Sequence, residues 1–435
     1  MDRSGRLFSF RTSSFNTDAQ KTVMPALPVN PLSQAYLNLE TDDILLKLQQ
    51  AAREDPDFVD VVQAASFYDI PSRSIDRIGL EGPDQVRQVL SIGSGLTSEV
   101  VQHMLVDEKS KLQPPPSTTI ALKIFRSTKL GSPSDAKAAR QKVYSSILKE
   151  MMAFGHSTLS SHPHILKLLF IGWNLDHAYP ILAMELGDYG SLDYIIRAPG
   201  PGPTARQKRH LTIDIALGLQ AIHEAGFTHG DLKPDNIIVF SSEDPTRQVV
   251  AKLTDFGGSD KMLGEHAGTP THITPLWSAP EVLGKHSKIH WRVADVYSYG
   301  LVVASLWAGR ESSEIYGGRA GDEDDDWYDK PASSSTLSSS SILSNVSNSG
   351  SLAPDEDQEG LRYLKKLPED HPYSLMSFLR ERITKESLPA NIDPSELFAI
   401  LAPTLKTDWR ERPDMDKLMM VISEFSNAIE RAIEP

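Results

Sequence analysis

The sequence predicts an α+β protein, with strands gathered early in the chain and long helices dominating later. Three observations lead there. Between about residues 86 and 186 the apolar residues fall in short runs of strand length, namely the Val86, Val89, Leu90 region, Thr118 to Phe125, Ile165 to Ile171 and Tyr179 to Leu186. From Arg206 to Ala225, residues Leu211, Ile215, Ala216, Leu219 and Ile222 show the spacings of a buried helix, and further helices are expected over Asp295–Leu306 and Asp414–Ile433. With 435 residues, 40% of them hydrophobic, the chain exceeds one average domain and can bury a sizeable core.

Composition excludes several classes. There is no cysteine, so disulfide frameworks and Cys-based zinc sites are absent, as suits an intracellular protein, cytoplasmic or nuclear. A formal charge of −14 argues against nucleic acid or an anionic membrane as partner. No apolar stretch approaches the roughly eighteen residues of a spanning helix.

In chain order, residues 1–40 are rich in Ser, Thr, Pro and Asn and read as a disordered tail. Residues 41–84 read as a helical extension: Ile44, Leu45, Leu48, Ala51 and Ala52 share one face, Glu54-Asp55-Pro56 interrupts, and Phe58, Val61, Val62 and Ala65 continue the stripe. This predicts two helices packed on the domain that follows. Ile92-Gly93-Ser94-Gly95 then offers a turn whose glycines leave the backbone open to phosphates, with Val100 beyond it. Thr118–Phe125 is a strand with Lys123 in its middle, and Asp135–Phe154 is a helix carrying Glu150. Residues 317–359 combine Asp322-Glu323-Asp324-Asp325-Asp326 with a serine run, a composition that cannot offset its ordering entropy, and read as a disordered insertion. Helices near Tyr373–Ile383 and at the C-terminal end close the chain.

The chemistry centres on His229-Gly230-Asp231-Leu232-Lys233-Pro234-Asp235-Asn236. The spacing suits phosphoryl transfer: Asp231 can accept a hydroxyl proton, Lys233 can meet a transferring phosphoryl group, and Asn236 can hold a metal ion. Asp255-Phe256-Gly257 follows about nineteen residues on, after the strand-like run around Val249–Leu253. In this order and separation the two stretches resemble the eukaryotic protein kinases. Ala279-Pro280-Glu281 matches the end of their activation segment, and Trp409-Arg410-Glu411-Arg412-Pro413 supplies the arginine that pairs with its acid.

The resemblance runs from about Val86 to about Ala432 and implies a two-lobed protein-kinase fold over residues 85–433. A small β-rich N-lobe would occupy about 85–186 and a larger helical C-lobe about 187–433. It implies ATP and Mg2+ as cofactors and serine or threonine hydroxyls of a protein substrate as acceptors. Lys123, oriented by Glu150, would hold the α- and β-phosphates, while Asn236 and Asp255 would bind magnesium. Thr274 matches the threonine that contacts the catalytic Asp and Lys in the serine/threonine group. Ile92, Gly93, Gly95, Val100, Ala121, Ile238 and the hinge Met184-Glu185-Leu186 would line the nucleotide. Phe154, Leu168, His229 and Phe256 would form one internal side-chain stack, and Val100, Ala121 and Ile238 another.

Two departures stand out. Ser98 occupies the place of a third glycine. Gly230 replaces the arginine that usually binds a phosphorylated activation segment, which removes the reason for phosphorylation at Ser259, Thr269 or Thr271 to switch on the site. His-Gly-Asp also resembles small-molecule kinases of the aminoglycoside and choline type, and a partner-binding pseudokinase or scaffold is a third reading. Any partner beyond the substrate is expected at the N-terminal extension or the insertion.

Overall fold

The computed structural model describes residues 41–53, 55–74, 91–94, 98–106, 117–126, 133–173, 179–198, 202–244, 246–261, 274–283, 289–308, 375–383, 388–389 and 392–433, all within one unit spanning 39–435. The first part is a mixed sheet with a long helix behind it. Helices α1 (Thr41–Arg53) and α2 (Phe58–Phe67) precede strands β1 (Ser72–Ser74), β2 (Ser91–Ser94), β3 (Ser98–Val106) and β4 (Ser117–Phe125). Helix α3 (Pro133–Gly155) then leads to β5 (Leu168–Trp173) and β6 (Ile181–Glu185). The six strands lie in the order β1-β5-β6-β4-β3-β2, antiparallel except for the parallel β1–β5 pair.

The second part is mainly helical. Strand β7 (Gly190–Ser191) and helix α4 (Leu192–Arg197) follow the sheet, with Ser191 capping α4 by accepting the Tyr194 amide. Helix α5 (Ala205–Glu224) starts at a reciprocal cap, because Thr204 accepts the Gln207 amide while the Gln207 side chain accepts that of Thr204. Strands β8 (Phe227–Thr228), β9 (Ile237–Ser241), β10 (Val249–Leu253) and β11 (Asp260–Lys261) form two small sheets, β10-β9-β7 and β11-β8. Helices α6 (Pro280–Leu283), α7 (Trp291–Ala308), α8 (Leu375–Arg382), α9 (Pro394–Thr404) and α10 (Met415–Ile433) complete the description. Helix α7 is buried throughout from Ala294 to Ala308, as its nearly uninterrupted apolar sequence requires. It is pinned to α5 by Tyr299, whose hydroxyl donates to the Thr212 carbonyl at 3.1 Å, and by Trp307, which donates to the Thr212 hydroxyl at 3.1 Å.

The structure therefore has a β-sheet lobe and a helical lobe, the two-lobed α+β architecture expected from the sequence. Differences are local. The strand expected from Ile165 begins only at Leu168, because Ile165 bridges to Leu253 and Leu166 donates to the Leu253 carbonyl at 2.9 Å. Those two residues tie the lobes together and do not join the sheet. Helix α9, capped by Asp393, was not foreseen, and neither was β1 within the extension. The two helices of the extension pack on α3, with Leu48 and Val61 fully buried, each contributing about 1.5–3 kcal/mol by apolar burial. The tail 1–40, the Val86–Leu90 region, Gly95 and the 317–359 insertion lie outside the described residues. Among those described, no helix is long and apolar enough to cross a membrane.

Candidate active site

Helix α5 ends at Glu224 with Ala225 as its cap, and Gly226, at φ +83°, turns the chain into β8 and the loop 229–236. Glycine suits that left-handed turn. A second turn follows at Gly230, φ +79°. The second turn is held from below by Asp295 of α7. Its Oδ2 accepts the His229 amide at 2.8 Å and His223 Nε2 lies 2.9 Å from it, while Oδ1 accepts the Gly230 amide at 2.9 Å. Asp231 emerges next and is positioned on both oxygens. Oδ2 accepts from Lys233 Nζ at 2.6 Å, and Oδ1 accepts the Thr274 amide at 2.9 Å. Lys233 Nζ also donates to the Thr274 hydroxyl at 2.7 Å, which closes a ring of three residues. Asn236 ends a 3₁₀ turn at Pro234–Asn236, and its Nδ2 donates to the Asp231 carbonyl at 2.8 Å. That bond commits the amide nitrogen and leaves Oδ1 as the atom able to meet a cation.

Lys123 and Asp255 stand on the facing side. Lys123 Nζ lies 2.6 Å from Glu150 Oε1 and 2.9 Å from Asp255 Oδ1. Asp255 takes the left-handed conformation, φ 64° and ψ 67°, which aspartate tolerates better than most residues. Burial works against the Lys123 charge, but the two carboxylates reverse this and raise its pKa. The protein packed around Asp255 would raise its carboxyl, yet the Lys123 ammonium beside it holds it at about 2. Burial drives Glu150 upward, with Lys123 pulling the other way. The result is an ionised, partly exposed Asp255 carboxylate, the form a hard divalent cation binds. Among the described residues no group of three His, Asp or Glu side chains could hold a metal by itself, so Asp255 and Asn236 suit an ion that brings further oxygen ligands with it.

Above them, Val100 pairs with Lys123 across β3–β4, and Ala121 pairs with Met184 across β4–β6. Gly93 lies opposite Val100, and Ile92 is exposed. Gly187, just past Met184-Glu185-Leu186, packs so tightly on Ile238 that an added Cβ would lie 2.3 Å from its Cγ2. The Glu185 side chain is committed elsewhere, to Lys252 Nζ at 2.7 Å and to the Lys167 amide at 2.8 Å. Only backbone groups remain for a ligand at that position. Beneath the site, Phe256 meets Phe154 edge-on at 5.0 Å between ring centroids and His229 at 5.5 Å, and Leu168 packs against the same core.

The protein kinase domain model matches residues 87–419. The chain belongs to the protein kinase family. Relatives of the chain include a serine/threonine-protein kinase of Myxococcus xanthus, 33% identical over 34% of the chain and 18% of the relative. A serine/threonine-protein kinase-like protein of Arabidopsis thaliana is 29% identical over 37% of the chain and 43% of the relative. The serine/threonine-protein kinase PknK of Mycobacterium tuberculosis is 33% identical over 40% and 14%. The alignments thus span less than half the length of these curated relatives.

Three features of the structure escaped the sequence reading. Asp295 was seen only as the start of an apolar helix, although an acid leading a run destined for burial signals that it must find donors. Asp214, fully buried on α5, accepts the Ala251 amide at 3.0 Å and pairs with Arg247, fastening β10 to α5. Ser259, named as a phosphorylation candidate, is 1% exposed, with its hydroxyl 3.5 Å from the His229 carbonyl. In this conformation it is closed to a modifying enzyme. Thr269 and Thr271 lie outside the described residues.

Proposed function

We propose that the chain is an ATP-dependent serine/threonine protein kinase. The observation that carries the reading is the presence of two constellations in one fold: Lys123 held between Glu150 and Asp255, and Asp231 held between Lys233 and Thr274. Bound Mg-ATP would supply the γ-phosphoryl group and the metal charge that offsets the developing negative charge. Asn236 Oδ1 and the Asp255 carboxylate are the metal ligands in this reading, and Lys123 holds the non-transferring phosphates. Asp231 orients the substrate hydroxyl and accepts its proton. Lys233 neutralises charge on the transferring group, and Thr274 fixes Asp231 and Lys233 relative to each other. Ile92, Gly93, Val100, Ala121 and Ile238 would hold the base, with backbone groups of Glu185 and Leu186 available at its edge.

Most of the rate comes from placement and electrostatics, because the protein supplies no covalent step. The serine/threonine preference rests on Thr274 and on the names of the relatives. Neither the small-molecule kinase nor the scaffold reading is favoured, since no residue of the proposed machinery is missing. The test is incubation with magnesium, labelled ATP and a general protein substrate. Wild type transfers label to serine or threonine, and Asp231→Ala reduces transfer by at least about a hundredfold while retaining fold and nucleotide binding. Near-wild-type turnover in Asp231→Ala would overturn the assignment.

A further inference from the structure

We propose that residues 41–74 form an intramolecular clamp that holds α3, and with it Glu150, in place for Lys123. The functional half of this rests on the kinase reading above; the structural half does not. Every residue of α3 from Val143 to Phe154 is buried. A helix lying on one sheet buries one stripe and leaves the opposite face to solvent. Burial all the way round demands a second cover, and the extension provides it.

Helices α1 and α2 both pack against α3, and their buried Leu48, Ala52 and Val61 join its core. Polar ties reinforce the contact. The Ser145 hydroxyl, on α3, donates to the Ala52 carbonyl at 2.5 Å in a buried position, and Gln141 one turn earlier donates to Asp55. At the far end of α3, Gly155 lets Tyr68 approach so closely that an added Cβ would lie 2.5 Å from the Tyr68 Cβ.

The cover is itself anchored to the sheet. Strand β1 adds to β5 in parallel, with the Ile171 amide donating to the Pro71 carbonyl at 2.9 Å. The Phe58 ring meets Trp173 edge-on at 5.8 Å. The extension therefore grips α3 from outside and the sheet from its edge, and an outward swing of α3 would have to strip apolar surface and break the Ser145 bond. Glu150 faces inward on the same helix and reaches Lys123 at 2.6 Å, so the clamp makes it a standing part of the site. Ser145, Leu48, Val61 and Tyr68 are positioning residues in this scheme, since none touches the reacting atoms.

The experiment uses the full chain carrying Leu48→Ala with Val61→Ala, which opens cavities under the cover. Amide hydrogen exchange is followed in residues 143–154 and, as a reference, in α5. The expected result is exchange at least about tenfold faster in α3 with α5 unchanged. Alongside it, KM for ATP should rise several-fold and kcat should fall about tenfold. Faster exchange confined to residues 41–67, with α3 and both kinetic constants at wild-type values, overturns the clamp. If the double variant does not fold, Gly155→Ala drives a wedge between α3 and Tyr68. Adding Tyr68→Gly to that variant should restore α3 protection and turnover. Wild-type α3 protection in Gly155→Ala, or no recovery on adding Tyr68→Gly, counts against the proposal. The exchange measurement needs no turnover, so it separates the two claims. Loss of α3 protection in Leu48→Ala with Val61→Ala, alongside a wild type that transfers no phosphoryl group from Mg-ATP, would uphold the clamp and refute the kinase reading.

Discussion

His229 shows how far a residue's surroundings can set its chemistry. It is fully buried against Phe256, and among the described residues neither ring nitrogen has a hydrogen-bond partner. Burial lowers its pKa from 6.5, with Asp295, Asp231 and Asp255 opposing the shift. A depressed pKa means that below about 6.5 the unfolded chain takes up a proton that the folded chain resists. The stability contribution is therefore present above pH 6.5 and is lost as pH falls towards the folded value, at up to about 1.4 kcal/mol per pH unit. His162 and His210 are also lowered by burial and add the same sign. Glu150, pushed up by burial, takes up a proton in the folded state over the same range and opposes this slope, so the readout is a comparison: in denaturant unfolding, wild type should lose more stability between pH 7.5 and 5 than His229→Phe does. An unchanged slope in the variant would remove His229 from the account. Gly230, next in the chain, carries a different constraint. At φ +79° any other L-residue costs roughly 1–2 kcal/mol of backbone strain, so glycine here has a conformational reason as well as lacking the arginine side chain.

At the level of elements, α3 and the Asp255-Phe256-Gly257 turn depend on each other through a gap with no room to spare. A Cβ on Gly257 would lie 2.2 Å from the Ser146 hydroxyl and 3.2 Å from Glu150 Oε1. Gly257→Ala must therefore turn the Ser146 hydroxyl aside or move α3 and the turn apart, and either change disturbs the Glu150 carboxylate beside it. The expected outcome is weaker Mg-ATP binding and at least about a tenfold loss of transfer. Ser146→Ala removes the atom in the way, so the pair of substitutions should recover part of that loss. Equal activity in Gly257→Ala and wild type would show that the turn does not need this close approach. The elements themselves were largely legible in the sequence. The periods of α3, α5 and α7 and the run of β4 are local, and local spacing decides which face is apolar. The start of β5 was misjudged because Ile165 and Leu166 look like strand residues, yet their backbone partners lie in β10.

Across the whole molecule, Glu281 and Arg412 join segments 131 residues apart. Both are nearly buried, and the guanidinium meets the carboxylate through two bonds of 2.6 and 2.8 Å. Arg412 also donates to the Lys406 carbonyl at 2.8 Å and the Val293 carbonyl at 3.2 Å. Removing one partner strands a buried charge, at a cost of about 3–5 kcal/mol. Arg412→Ala should therefore lower unfolding stability by about that amount in chemical denaturation. Replacing both, as Glu281→Leu with Arg412→Met, should cost less than Arg412→Ala alone. A double variant worse than the single would show that the carbonyl contacts matter more than the charge pair.

The sequence alone determined the loop 229–236 and the order of the motifs around it. Asp231, Lys233 and Asn236 sit within six residues of one another, so their mutual geometry follows from a single turn and needs little help from the rest of the chain. Lys123 in a strand, Glu150 on a helix and the Glu281–Arg412 pair could be named because the resemblance to the protein kinases implied them. Only the tertiary structure decided that Asp295 would carry the backbone of His229 and Gly230, and that the N-terminal helices would close over α3 and extend the sheet with β1. The physical reason is that periodicity shows which face of an element must be covered but not by what. The choice of cover is made by many small burial terms summed over segments far apart in the chain, and no local spacing encodes that sum.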